Sequence, residues 1–221
     1  MEKIKFKTYH KKILSDKLTP VSIYLKLRDK FANSLLLESS DYDVNNKNFS
    51  YICCDAIASI SVKDGKITYT YPGQKKITTK IKKNESLPNI IKKFSDNFYY
   101  KHTKYNFITN GLFGYISHET VSHFEDLDLD KNKDDLEIPE LYYAVYKYII
   151  SVSLFNHEAH IFCHSTNNKN DIEIIDKLLK KDVPTNYNFS KKGEKNSNFT
   201  DKEFTNLIKK GKNHCFRGDV F

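Results

Sequence analysis

Between Tyr51 and Tyr71 apolar residues recur at every second position, and the run is broken once, by Asp64-Gly65. Ala58, Ile60 and Val62 fall on one face before the break, and Ile67, Tyr69 and Tyr71 follow it. Period two is the signature of a half-buried strand, and Asp-Gly between two such runs is a hairpin turn signal. Pro72-Gly73 closes the pair. A chain built around this segment has an antiparallel sheet as its frame.

Two more strand-like runs, Tyr142–Phe155 and His160–His164, flank Asn156-His157-Glu158-Ala159 and predict a second hairpin with its turn there. Shorter strands are expected at Leu35–Leu37 and Leu112–Ile116, where Gly111 and Gly114 permit tight backbone or close packing. Helices interleave with them. Thr19-Pro20 supplies a cap and a proline at the first helical position, and Ile23, Leu27 and Phe31 form a stripe at fourfold spacing. A helix from about Ser86 carries Leu87, Ile90, Ile91 and Phe94 inward, and Ile172, Ile175, Leu178 and Leu179 mark another. Thr200 with Glu203 makes a capping box for a last helix, whose inward face is Phe204, Leu207, Ile208 and Cys215. Gly218 ends that helix, and Asp219-Val220-Phe221 reads as the start of a strand. The fold class is α+β, with antiparallel sheets and packed helices.

Polar residues from Thr185 to Asn198 read as a linker, giving an expected division into a domain over 1–183, a linker over 184–198 and the start of a second domain over 199–221. Length, ample apolar content and few Gly and Pro suit a folded chain of 221 residues. The charged opening Met1–Lys7 lacks a signal-peptide core, and no apolar run is long enough to span a membrane, so a cytoplasmic location is expected. The net charge of +8 raises the question of nucleic acid. Lysines are nevertheless spread through every segment and the arginines are only Arg28 and Arg217, a pattern that disfavours a phosphate-reading face.

Candidate chemistry is sparse. Asp126, Asp128, Asp130 and Glu137 match positions 1, 3, 5 and 12 of a calcium loop, but Lys131 stands where the sharp turn needs glycine, and the segment reads as a solvated acidic loop. His157, His160, Cys163 and His164 crowd one hairpin, yet His160 and Cys163 face opposite ways on a strand, so no metal site is assigned. Cys53, Cys54, Cys163 and Cys215 show no metal or redox spacing and read as reduced, mostly buried thiols, and no strained turn is expected around Cys53 or Cys54. Glu38 and Ser39, at the end of a short apolar strand, could receive the ammonium group of an amino acid. Ser39 could equally start a turn with Asp41, and residue chemistry alone favours the turn.

The segments Leu35-Leu36-Leu37-Glu38-Ser39-Ser40, Gly111–Glu125, Leu136–Leu141, Asn156–His160 and Phe204–Phe221, in this order and spacing, resemble the amino-terminal part of anthranilate synthase component I. The resemblance covers nearly the whole chain. His118 and Glu119 replace the family's usual Tyr and Asp. It implies that Leu37, Glu38 and Ser39 line part of an allosteric tryptophan pocket, Ser39 nearest the ligand's polar end, which tips the balance away from the simple turn. For a complete subunit it implies conversion of chorismate and ammonia to anthranilate and pyruvate, a glutamine amidotransferase subunit as ammonia source, and Mg²⁺ bound in a carboxyl-terminal chorismate-binding domain. This chain would then be a regulatory and structural portion, inactive alone, with no catalytic residue, metal or cofactor of its own. The rival readings are an aminodeoxychorismate synthase component I fragment, a basic non-catalytic binding module and an inactive remnant.

Overall fold

The computed structural model describes residues 3–38, 48–82, 85–100, 103–125, 137–182 and 188–220. The elements run β1 (Ile4–Lys5), β2 (Lys7–Leu14), α1 (Pro20–Arg28), β3 (Leu35–Leu37), β4 (Phe49–Lys63), β5 (Lys66–Thr70) and β6 (Ile77–Lys80). They continue with α2 (Leu87–Ser95), β7 (Phe98–Tyr99), β8 (Phe113–Ile116), a 3₁₀ turn (His118–His123), β9 (Leu141–Ser153), β10 (Glu158–Ser165), α3 (Ile172–Leu179) and α4 (Asp201–Arg217). The chain divides into two compact units, Met1–Thr185 and Asn186–Phe221.

In the first unit, β2-β10-β9-β4-β5-β6 lie side by side, with β3 added to β4 and β8 to β9, all antiparallel. The long strands β4 and β9 pair from Phe49↔Ser153 to Val62↔Leu141 and form the spine. A parallel two-strand pair, β1 with β7, stands apart from this sheet. The fold is thus the α+β antiparallel architecture the alternation implies.

The spine is irregular at one place. Asp55 has φ 61°, and the β4–β9 register slips between Ala56 and Ala58. Alternation slips with it: Cys54 belongs to the cluster under α1 and α3, whereas Ala56, two residues later, packs in a different one. No strained turn is expected beside Cys54, yet its neighbour Asp55 stands in the left-handed region. Bulges of this kind bend a strand and increase its twist, so one long strand serves two differently oriented ends of the sheet.

Each predicted helix exists, and its buried stripe explains its place. Thr19 caps α1 by accepting the Ser22 N–H at 3.1 Å, and Ile23 and Leu27 are fully buried. Burial of side chains of that size contributes about 1.5–3 kcal/mol each. Ile172, Ile175 and Leu179 of α3 join the same cluster, with Ile52, Tyr148, Ile150, Ile161 and Cys163 of the sheet. Leu87, Ile90 and Phe94 of α2 cover a second cluster around Ile60, Val62, Ile67 and Val145. A third cluster, Cys53, Phe113, Ala144, Tyr146, Ile149 and Phe162, lies under the irregular segment that precedes β8.

The second hairpin departs from the expected turn. β9 ends at Ser153 and β10 starts at Glu158, so Leu154-Phe155-Asn156-His157 makes the turn. His157 adopts φ 52°, and its carbonyl accepts the Ser15 N–H at 2.8 Å. Leu154 and Phe155 are exposed because they belong to the turn and not to the strand.

In the second unit, residues 188–198 have no regular structure, and α4 carries the expected capping box, with Thr200 N–H donating to Glu203 at 2.9 Å. Gly218 at φ 74° ends the helix. The expected inward face is corrected: Phe204, Leu207, Ile208 and Cys215 are all exposed, since among its described residues this unit has one helix and no second element to cover them. Asp219 and Val220 form no strand, and the Asp219 carboxylate instead pairs with His214 at 2.7 Å and Arg217 at 2.9 Å. Phe221 lies outside the described residues.

Candidate functional site

After α1 the chain turns through Asn33, at φ 57°, whose carbonyl accepts the Tyr146 hydroxyl at 2.9 Å. Ser34 Oγ donates to the Phe31 carbonyl at 2.8 Å. These two bonds fix the start of β3, and its ladder sets Leu35 against Cys53, Leu36 against Ile52 and Leu37 against Tyr51. Leu36 packs with the first cluster and Leu35 with the third, as alternation requires. The strand is anchored at its root and opens toward its tip: Leu37 is 38% exposed, and Glu38 beyond it is exposed. The sequence placed Glu38 at the mouth of a buried strand, and the structure shows a strand that is only half-buried because β3 is three residues long. Ser39, Ser40 and Asp41 lie outside the described residues.

Leu37 and Tyr51 are directly opposite, so their side chains share a face of the sheet. That face is aromatic. Phe49 and Phe113 have ring centroids 6.5 and 6.3 Å from that of Tyr51, and Phe107 stacks on Phe49 at 4.5 Å. The Tyr51 hydroxyl accepts the Ile108 N–H at 3.3 Å, and burial pushes its phenol up from the usual value. The arrangement offers a carboxylate at an accessible strand end beside an aromatic bank. Such a combination suits a ligand with both an ammonium group and an apolar ring.

Other sequence candidates lose their chemical readings. Cys53 and Cys54 are fully buried and burial drives both thiols upward, away from the thiolate that nucleophilic chemistry requires. Cys163 is buried and shifted the same way. On β10, Ala159, Ile161 and Cys163 join the first cluster while Phe162 joins the third, so His160 and Cys163 do face apart. Among the described residues, no group of three or more His, Cys, Asp or Glu is placed to hold a metal ion. Asp126, Asp128, Asp130 and Lys131 lie outside the described residues; Glu137 is described, and its carbonyl accepts from Lys63 Nζ at 3.2 Å. His118 and Glu119 fall on the 3₁₀ turn after β8. Among the described residues no helix is long and apolar enough to cross a membrane.

Sequence reasoning did not single out Tyr51, Phe49 or Phe107 as neighbours of Leu37. The first two stand on alternate positions of β4 and follow once the β3–β4 register is known. Phe107 sits in a segment without regular structure, where no periodicity announces a partner.

No family model matches the chain. It is 27% identical over 231 aligned residues to anthranilate synthase component 1 of Aquifex aeolicus, covering 94% of this chain and 44% of that protein. It is 26% identical to the protein of the same name from Lactococcus lactis, covering 67% and 30%, and 26% identical to that of Arthrobacter globiformis, covering 59% and 24%. The chain therefore spans less than half the length of these relatives. The crystal structure of anthranilate synthase component I from Streptococcus pneumoniae superposes with a TM-score of 0.51 at 17% identity, over 95% of this chain and 46% of that one, a likeness of fold. By sequence over nearly its whole length the chain is similar to part of anthranilate synthase component 1, and its fold is like that of a solved anthranilate synthase component I.

Proposed function

We propose that this chain is the effector-binding, amino-terminal portion of an anthranilate synthase component 1, and that L-tryptophan binds beside Leu37, Glu38 and Ser39. The observation that carries this reading is the anchored strand β3, which presents Leu37 and Glu38 next to the aromatic bank of Phe49, Tyr51 and Phe113. Glu38 would take the ammonium group, Ser39 the polar end of the ligand, and the aromatic side chains its ring.

In the complete enzyme the reaction would be chorismate plus ammonia to anthranilate and pyruvate, with ammonia from a glutamine amidotransferase subunit and Mg²⁺ held outside this chain. The shared name of the three relatives supports that assignment. In this reading catalysis lies outside these residues; the buried, raised thiols of Cys53 and Cys54 and the hydrogen bonds that engage His10, His160 and His164 support it.

Equilibrium dialysis of labelled L-tryptophan against the chain and against Glu38→Gln tests the effector site. Binding on the order of millimolar, weakened by the substitution roughly tenfold, is expected. Equal binding by both proteins would contradict it. Incubation with chorismate, ammonium and Mg²⁺ is expected to yield no anthranilate fluorescence, and its appearance would move catalysis into this chain.

A further inference from the structure

The segment from Thr103 to Thr109 has no regular structure, yet it is tied to four strands across the third cluster. Ile108 donates its N–H to Tyr51 of β4 and accepts from Ser151 of β9 at 3.2 Å. Its remaining polar ties to the sheet run through histidines. The Tyr105 hydroxyl meets His10 Nδ1 of β2 at 3.0 Å, His10 Nε2 meets His160 Nδ1 of β10 at 3.0 Å, and His164 Nε2 donates to the Thr109 carbonyl at 2.9 Å. The His10 and His160 rings stack 5.2 Å apart, with Phe107 4.9 Å from His160.

Proton counting makes this chain conditional. With both imidazoles neutral, one nitrogen of the facing pair donates and the other accepts, and the Tyr105 hydroxyl adapts to either tautomer. One added proton is still accommodated, because an imidazolium can donate to the neutral ring. A second leaves an N–H on both sides of the 3.0 Å contact, between two stacked cations. We propose that Thr103–Thr109 is an acid-released strap, latched by the Tyr105–His10–His160 chain, and opened when both histidines of that chain are protonated.

The surroundings set the sensitivity. Lys12 of β2 opposes a proton on either His10 or His160, and Glu158 of β10, itself 2.6 Å from Lys12, favours one on His160. Ser151 of β9, opposite His160 in register, carries no charge. His164 is packed against Tyr100 and Phe6 and bonded to Thr8 at 2.9 Å, and its bond to the Thr109 carbonyl persists when the ring is protonated. Burial lowers all three histidines from the usual imidazole value. Opening would free the Tyr51 hydroxyl, opposite Leu37, although the strap stands on these contacts whether or not tryptophan binds there.

Amide hydrogen exchange of the full chain by NMR, corrected for intrinsic rates, tests the strap. Between pH of about 7.5 and about 5 the Ile108 amide is expected to lose protection roughly tenfold while staying less protected than Ile150 in β9, whose protection follows the global stability measured in urea. His10→Gln with His160→Gln should hold the Ile108 response within about twofold. Tyr105→Phe should exchange faster at Ile108 already at neutral pH. Unchanged Ile108 protection on acidification, equal protection of Ile108 and Ile150 across the range, an undiminished response in the glutamine variant, or normal protection in Tyr105→Phe would each overturn the strap.

Discussion

Leu37 and Tyr51 are register partners across the β3–β4 ladder, and through its hydroxyl Tyr51 also holds Ile108, so one side chain joins the short strand to the segment lying over the third cluster. Tyr51→Phe keeps the ring and removes the acceptor. The Ile108 N–H then lacks its partner, and a loss of about 1 kcal/mol in unfolding free energy is expected, read as a lower urea midpoint at unchanged slope.

Gly114 allows β8 to close against β9. A Cβ there would stand 1.8 Å from the Tyr142 carbonyl oxygen, which is backbone and cannot swing aside. Gly114→Ala should destabilise the first unit by about 1–3 kcal/mol or displace β8. Thermal melting together with Phe113 and Gly114 amide shifts distinguishes the two results.

Leu27 of α1 is fully buried, whereas Leu207 on α4 is 46% exposed. Leu27→Ala is expected to cost about 2–5 kcal/mol in denaturant unfolding. Leu207→Ala is expected to change unfolding by less than about 0.5 kcal/mol. A large effect at Leu207 would mean that α4 buries this face in solution.

His164 makes stability fall in acid. Unfolded, its imidazole takes up a proton near the usual 6.5; folded, burial lowers it to about 4. Between those values the unfolded chain binds more protons, so the contribution is complete above pH 6.5 and is lost as pH falls toward 4. The size is roughly 3 kcal/mol at about 1.4 kcal/mol per pH unit. His10 and His160 shift in the same direction and reinforce the trend. Urea midpoints measured across this range should drop, and His164→Gln should flatten the profile.

Local rules made much of this fold legible. Thr19-Pro20, Asp64-Gly65, Thr200 with Glu203, and Gly218 each act within a few residues, and each occurs where the sequence places it. The β9–β10 turn was displaced because Leu154 and Phe155 have strand-forming side chains, while hydrogen bonding decides that the ladder stops at Ser153. The apolar stripe of α4 shows the opposite failure: periodicity reports a face able to be buried, and burial needs a partner that the described residues of its unit do not supply. At the candidate site Leu37 and Glu38 were visible as a motif. Tyr51 and Phe107 were not, because their proximity depends on strand register and on an irregular segment brought over the sheet.

The most direct test is a titration of the ¹⁵N-labelled chain with L-tryptophan, followed by amide shifts. The account predicts saturable shifts at Leu37 and Glu38, spreading to Tyr51 across the ladder, with saturation at ligand concentrations on the order of millimolar. Shifts confined to another part of the sheet, or none at concentrations near the solubility limit of the ligand, would contradict the placement of the effector beside β3.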